Sequence, residues 1–482
     1  MAAKDIFKLL VVLALFAGFA PAAGLWMRGR AKAQAVVFAM ICFMTIGGLF
    51  GPAEWGLTLN SVEWYRGHAK GYSFYFNEVL ALALSISLWR ESPRTFRWCP
   101  PGLWLYLLYC ALSFISIVNA PVPAYVCMAA LKWVKAALLF IAAYNFVRRE
   151  EHLAYSLRVM AIALCWELLI VLKFKYLDHV YQVRGTFEHQ NPLAMYAAMA
   201  GLLFLAAGMG TNVSRGNFLL FAFVACAGIV QSTLSRAGLI VFALGTGAVV
   251  ILSLLDKPTK RRLVTVGALG AVGLIGFALA VHTIVARFHD EGNEASGETR
   301  HLMNAASKAM VQAHPLGIGW NNYAHVINPP FSYGDVIDDW ERERGHKVDA
   351  DYAKGVVESH YYLLLSETGW QGLGSYLLFI GVFLWWNVRA MWSFRNHLFG
   401  CVSLGIFAGC ACNYLQSTLE RVLTQPRNMM LWLLLLGIVS RLETWRREKT
   451  KAPAPARVPL GKELKFAGPA RERAHRIDTG GV

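Results

Sequence analysis

Apolar stretches of roughly 17–25 residues recur from one end of this chain to the other, each long enough to cross a ~30 Å hydrocarbon layer as a helix. A backbone in hydrocarbon must satisfy its own hydrogen bonds, which leaves helices or closed barrels. The runs are unbroken and lack the alternation of barrel strands. Of 482 residues, 56% are hydrophobic and 16% charged, against about 25% charged in soluble domains. The class expected is all-α, a polytopic membrane helical bundle. Spans are expected near 6–25, 33–50, 72–90, 102–119, 124–147, 152–172, 191–210, 217–233, 236–255, 263–284, 360–388, 398–418 and 427–441, about 12–13 transmembrane helices. The first run is long and no small-residue cleavage motif follows it, so it reads as a span and not as a cleavable signal peptide.

Lysine and arginine in short loops set the orientation. Arg28, Arg30 and Lys32 share one connection; Arg90, Arg94 and Arg97 lie two spans later. Lys257, Lys260, Arg261, Arg262, Arg389 and Arg395 continue the series. From Arg441 onward there are eleven Lys/Arg against five Asp/Glu, a net of +6. All fall on one side, which is therefore cytoplasmic. This count puts the N-terminus outside, against Lys4 and Lys8, so the first segment is a hairpin or one span is miscounted. The opposite side carries one large periplasmic loop, 285–357, with seven Lys/Arg against eleven Asp/Glu, a net of −4. Within it, Leu302, Ala305, Ala306, Ala309 and Met310 share one face of a predicted interfacial helix from Glu298 to Ala313. The domains expected are a membrane domain over 1–444 and a disordered basic cytoplasmic tail over 445–482 that contacts anionic lipid headgroups. Nine cysteines contain no C-x-x-C pair and read as small core residues. Gly267, Gly270, Gly273 and Gly276 recur every three residues and are expected to pack closely against another helix.

Three arginines and a histidine fall where water meets lipid on the outer side. Cations there are costly without an anionic partner or a wet cavity. Arg184 follows a span in Arg184-Gly185-Thr186-Phe187; its other reading is a headgroup-level anchor. Asn191 and Pro192 then suit the start of a helix whose free amides favour an anion. Arg236 interrupts a long apolar run at Ser235-Arg236, which demands a tight turn; its other reading is a snorkelling arginine or an internal ion pair, with Glu420 as a candidate partner. Arg300 opens the interfacial helix, where it opposes the dipole. His360 starts the following span, and Glu367 lies two turns on along the same face. His360 is the one side chain in this constellation with an ordinary pKa close to neutral. Asp349-Ala350-Asp351 is a D-x-D that reads best as a solvated turn. No H-E-x-x-H, P-loop or G-x-S-x-G is present, and the basic tail has no nucleic-acid fold around it.

The ordered set Arg184-Gly-Thr-Phe with Asn191-Pro, Ser235-Arg236, Arg300, His314-Pro-Leu-Gly-Ile-Gly with Tyr323, and His360-Tyr-Tyr with Glu367-Thr-Gly369 and Gly372-Leu373 resembles the O-antigen ligase superfamily. That superfamily holds O-antigen ligases, O-antigen polymerases and bacterial protein O-oligosaccharyltransferases. The resemblance covers about 180–390. Where many members have His-Asn, this chain has His360-Tyr361. The resemblance implies a metal-independent membrane glycosyltransferase without a cofactor, in the bacterial inner membrane with its site facing the periplasm. The donor implied is an undecaprenyl-diphosphate-linked glycan. The acceptor is a hydroxyl of a glycan, of lipid A-core or of a protein. Arg184, Arg236 and Arg300 would bind the diphosphate and His360 would serve the acceptor; helical spacing alone, and not the resemblance, suggests that Glu367 orients His360. Two other classes stay open: a transporter of lipid-linked glycan or another anionic lipid, and a membrane scaffold. A transporter needs polar residues deep in its spans, and mid-span charges are few.

Overall fold

The computed structural model describes residues 3–47, 56–210, 213–288, 292–344 and 354–451. Ala3–Leu13 (α1) runs through a π-helical stretch, Ala14–Phe19, into Ala20–Trp26 (α2), so the first segment is one span and not a hairpin. Ala31–Met44 (α3) precedes an antiparallel hairpin, Gly56–Leu59 (β1) with Tyr72–Tyr75 (β2). Phe76–Glu91 (α4), Leu103–Phe114 (α5), Pro123–Phe146 (α6) and Glu150–Leu172 (α7) follow. Gln190–Gly210 (α8), Val213–Thr233 (α9), Arg236–Asp256 (α10) and Lys260–Phe288 (α11) lead to the long connection. That connection folds into Gly292–Ala313 (α12), Tyr323–Val326 (α13) and Asp335–Glu343 (α14). His360–Ser393 (α15), Leu398–Gln416 (α16) and Pro426–Lys451 (α17) end the described chain.

Each expected span overlaps a helix, although 72–75 form strand β2 and 48–50 lie outside the described residues. Among the described residues, seven helices are long and apolar enough to cross a membrane, and Ala31–Met44 and Leu103–Asn119 are shorter apolar helices. Helix α8 is hydrophobic all round and buried along nearly its whole length, as a central helix should be. It packs on α9, α10 and α16. Inside the bundle Lys135 on α6 holds both carboxylate oxygens of Glu78 on α4, at 2.6 and 2.7 Å. Pairing removes the cost of either charge standing alone in an apolar interior. Glu78 also accepts the Tyr75 amide at 3.1 Å and so closes the start of α4.

Some expectations change. Open space lies beside Gly267, Gly270 and Gly273. Among the described residues no helix packs closely on these three glycines, because α11 stands at the margin of the bundle with few neighbours. Helix α17 continues to Lys451, past the expected start of the tail at 445; the remainder of the tail, and the D-x-D at 349–351, lie outside the described residues. Lys8 donates to the Thr58 carbonyl at 2.7 Å, which puts the start of α1 at the hairpin's end of the bundle. All nine cysteines are free.

The long connection is a packed layer. Ala306 and Met310 of α12 are buried with Ile318, Tyr323, Val326, Ile337 and Val357 in a second apolar core, which Leu363 of α15 and Tyr65 from the β1–β2 connection complete. The layer is tied to α15 by a backbone exchange. Gly369 takes φ 69° and ψ −173°, which breaks the helix. The released carbonyls of Ser366 and Glu367 accept from the amides of Ile318 (2.9 Å) and Gly319 (3.1 Å), and the Trp370 amide turns to the Pro315 carbonyl (3.3 Å). A Cβ on Gly369 would lie 2.5 Å from the Leu316 carbonyl carbon and the Pro315 oxygen. Left-handed backbone and a backbone collision both oppose a side chain there. Gly369→Ala should destabilise the protein by about 2–4 kcal/mol, the range of strain mutants at special dihedrals, read as a lower unfolding midpoint in detergent. An unchanged midpoint would mean that the exchange is not needed for the fold.

Candidate functional site

The turn carrying Arg184 is set from beneath. Glu167, buried on α7, accepts the Thr186 amide (2.8 Å) and the Thr186 hydroxyl (2.9 Å). Gly185 has φ +54°, and a Cβ there would strike the Glu167 carboxylate. Arg427 at the start of α17 donates to the Thr186 carbonyl and lies 5.1 Å over the Phe187 ring. The turn is thereby fixed with Arg184 exposed and reaching the Glu188 carbonyl at 3.5 Å. Glu167 and Arg427 do this positioning, and the sequence reading missed both: each looks like a stray charge in an apolar span.

Arg236 opens α10 after the expected tight turn. Leu234 has φ 53°, and the Ser235 hydroxyl caps the helix by accepting the Gly238 amide at 3.4 Å. The Val183 amide donates to the Ser232 carbonyl at 3.3 Å, so the Arg184 and Arg236 turns lie side by side.

Arg300 does not open its helix; α12 begins at Gly292 and places Arg300 more than two turns in. Its guanidinium is half-buried, bonded to Glu358 and 3.4 Å from Glu420. Glu420 is therefore the partner of Arg300, and it also accepts from Asn191 at 2.6 Å. Helix α8 starts at Gln190, so the Asn191 side chain ties α8 to the α16–α17 turn in place of capping the helix.

His360 is fully buried, its backbone amide given to the Ser417 carbonyl at 2.9 Å. Neither of its ring nitrogens has a hydrogen-bond partner. Glu367 is also fully buried, but it does not bond to His360. It accepts the Tyr323 amide at 3.1 Å and His68 Nε2 at 3.2 Å. The expected Glu367–His360 contact is thus replaced by Glu367–His68. The cause is that the break at Gly369 docks the 315–323 segment, and His68 arrives from the β1–β2 connection.

Arg421 is the cation that sequence reasoning missed. It lies within electrostatic reach of Glu420, Glu358, Glu367 and Glu188, which hold its proton, while burial pulls its pKa below the ordinary value. It is also within reach of His68, His189 and His360. Its position after a span, next to a glutamate, gives no signal in one sequence. The site so assembled gathers Arg184, Arg236, Arg300, His360 and Glu367 at one end of the bundle, with His68, Glu358, Glu420 and Arg421 among them. A cavity of about 480 Å³ lined by Leu252, Asp256, Trp392 and Arg395 lies at the other end and holds none of these residues. Among the described residues no group of three or more His, Cys, Asp or Glu could hold a metal ion.

Residues 221–344 match the family described as O-Antigen ligase. The match covers the smaller part of the chain and is a similarity to that family; the several long apolar helices are those of a multi-pass membrane protein. The matched segment runs from α9 to α14 and holds Arg236 and Arg300; Arg184, His360 and Glu367 lie outside it. No curated protein matches the chain.

Burial, and then the Glu358 carboxylate, push the Glu420 carboxyl from its ordinary value of 4.5 up to about 7, against Arg300, Arg421 and Asn191. The folded state therefore holds this proton more tightly than the unfolded chain. Stability from it is full below about 4.5 and is lost as pH rises through about 7. The unfolding midpoint should fall between pH 5 and pH 8, and Glu420→Gln should reduce that fall. The same fall in the variant would show that another group carries it.

Proposed function

We propose that this protein transfers a glycan from an undecaprenyl-diphosphate carrier to an acceptor hydroxyl at the periplasmic face of the bacterial inner membrane. The acceptor is a glycan, lipid A-core or a protein. One observation carries the reading: Arg184, Arg236, Arg300 and Arg421 lie at one end of a membrane bundle, where Arg421 is within electrostatic reach of the buried His360. The family match over 221–344 supports it.

The chemistry suits those residues. Breaking the anomeric C–O bond releases a lipid diphosphate, whose developing charge needs fixed cations. Arg184 is exposed and held on a rigid turn, so it can meet the diphosphate as it arrives. Arg300 is already paired with Glu358 and Glu420, so the diphosphate must compete with those carboxylates. Protonation of Glu420 weakens that competition. By the family resemblance the transfer is metal-independent, a single displacement with inversion. The acceptor hydroxyl has a high pKa and must lose its proton as the new bond forms. His360, with unpartnered ring nitrogens, is the group we assign to that proton.

Arg184→Ala and Arg236→Ala should weaken donor binding by on the order of 1.5–3 kcal/mol each, the worth of a charged contact, without unfolding the protein. Binding of an undecaprenyl-diphosphate glycan to purified variants measures this, and wild-type affinity in both would remove the arginines from the diphosphate site. His360→Ala should keep donor binding and lose turnover by roughly 100- to 10,000-fold. Near-normal turnover in that variant would take the histidine out of the reaction.

A further inference from the structure

Nothing in the sequence marks His68. It lies between β1 and β2, in a connection with no apolar periodicity, yet two contacts of its own and two of its neighbour Ala69 clamp it. Its carbonyl accepts Lys132 Nζ at 2.8 Å, and the same ammonium reaches the Thr424 carbonyl at 2.7 Å, three residues from Arg421. The next residue, Ala69, is held at both ends by the Asn321 side chain, which accepts its amide at 3.1 Å and donates to its carbonyl at 2.8 Å. Its ring is bonded to Glu367 at 3.2 Å, with both side chains out of solvent. A connection that served only to join two strands would not need its ring fixed against a buried carboxylate.

The tautomer follows from that bond. A carboxylate only accepts, so His68 Nε2 carries the hydrogen and Nδ1 carries the lone pair. Nδ1 is buried and has no partner, as are both ring nitrogens of His360. The two imidazoles lie within electrostatic reach of one another. Three unpartnered buried nitrogens on two neighbouring imidazoles are a costly arrangement for packing alone. A carboxylate on one nitrogen with a free lone pair on the other is the geometry in which a histidine can become a cation and be stabilised.

The geometry points to a proton relay in which His360 passes the acceptor's proton to His68 and Glu367 stabilises the imidazolium formed there. This rests on the glycosyl-transfer reading above. The acceptor oxygen bonds to the anomeric carbon, and the bond from that carbon to the diphosphate oxygen breaks, its electron pair leaving with the diphosphate. The hydroxyl proton goes to one nitrogen of His360. The other nitrogen gives its proton to His68 Nδ1 through bridging water, since the two rings do not bond to one another. His68 then holds two protons beside the Glu367 carboxylate, and loss of one to solvent resets the pair. The charged groups facing His68 are Glu367, Lys132 and Arg421, with His360 beside it. Burial, Lys132 and Arg421 lower its pKa below the ordinary 6.5 while Glu367 raises it. The ring is therefore neutral and ready to accept at pH 7.

The test uses the full-length protein in lipid nanodiscs, with lipid-diphosphate glycans and acceptors extracted from its source membranes. His68→Ala removes the ring. His68→Gln keeps a donor for Glu367 but has no basic nitrogen. Both should bind undecaprenyl diphosphate as the wild type does and lose ~100-fold or more in turnover. Added imidazole should restore part of the rate of His68→Ala, and pyrazole, of the same shape but a far weaker base, should not. Near-normal turnover in His68→Gln overturns the relay, as does a loss matched by lost binding of undecaprenyl diphosphate. Equal restoration by imidazole and pyrazole, or by neither, also overturns it, because the ring would then act only by filling space. If the wild type itself transfers nothing, the glycosyl-transfer reading fails and the relay with it; if the wild type is active and the variants behave otherwise than expected, the relay alone fails.

Discussion

The break in α15 at Gly369 is the constraint on which the rest of the site depends. An uninterrupted helix would spend the Ser366 carbonyl on the Trp370 amide. The left-handed glycine frees that carbonyl and the next, and both are taken by the Pro315–Gly319 segment. Where water is scarce, each backbone group must find a protein partner, so the exchange fixes the outer layer onto the helix that carries His360 and Glu367. Tyr323 then presents its amide to Glu367, and Asn321 reaches Ala69 beside His68. One change of backbone hand thus decides which histidine the buried glutamate meets.

A second theme is that cations at this end of the bundle are matched by carboxylates. Arg300 is shared between Glu358 and Glu420, and Arg421 is surrounded by four glutamates within electrostatic reach. A cluster of bare arginines would repel itself and resist burial. Interleaved glutamates make the resting site stable, and under the proposed function an incoming diphosphate would have to take over contacts that these carboxylates hold. Burial raises the Glu420 carboxyl to about 7, so protonation near neutral pH loosens its hold on Arg300.

Positioning residues are drawn from the helices themselves. Glu167 and Arg427 share the Thr186 backbone, one at its amide and one at its carbonyl, and so hold the turn that carries Arg184. Lys132 ties the His68 loop to the Arg421–Thr424 turn. Charges that look misplaced in apolar helices are here the struts of the surface above them.

The sequence by itself determined the long helices and their order. Helical hydrogen bonds are local and hydrocarbon is a uniform solvent, so span length and loop charge can be read residue by residue. The tight turn at Ser235-Arg236 and the apolar face of α12 at Ala306 and Met310 were legible for the same reason. The tertiary structure alone decided the partners. Glu367 pairs with His68, 299 residues away, and not with His360 seven positions along its own helix. Glu420 takes Arg300 and Asn191, while Arg421 enters the site unannounced. Helical spacing says which residues share a face; it cannot say what the packing of distant segments brings against that face, and a buried polar group bonds to whatever arrives there.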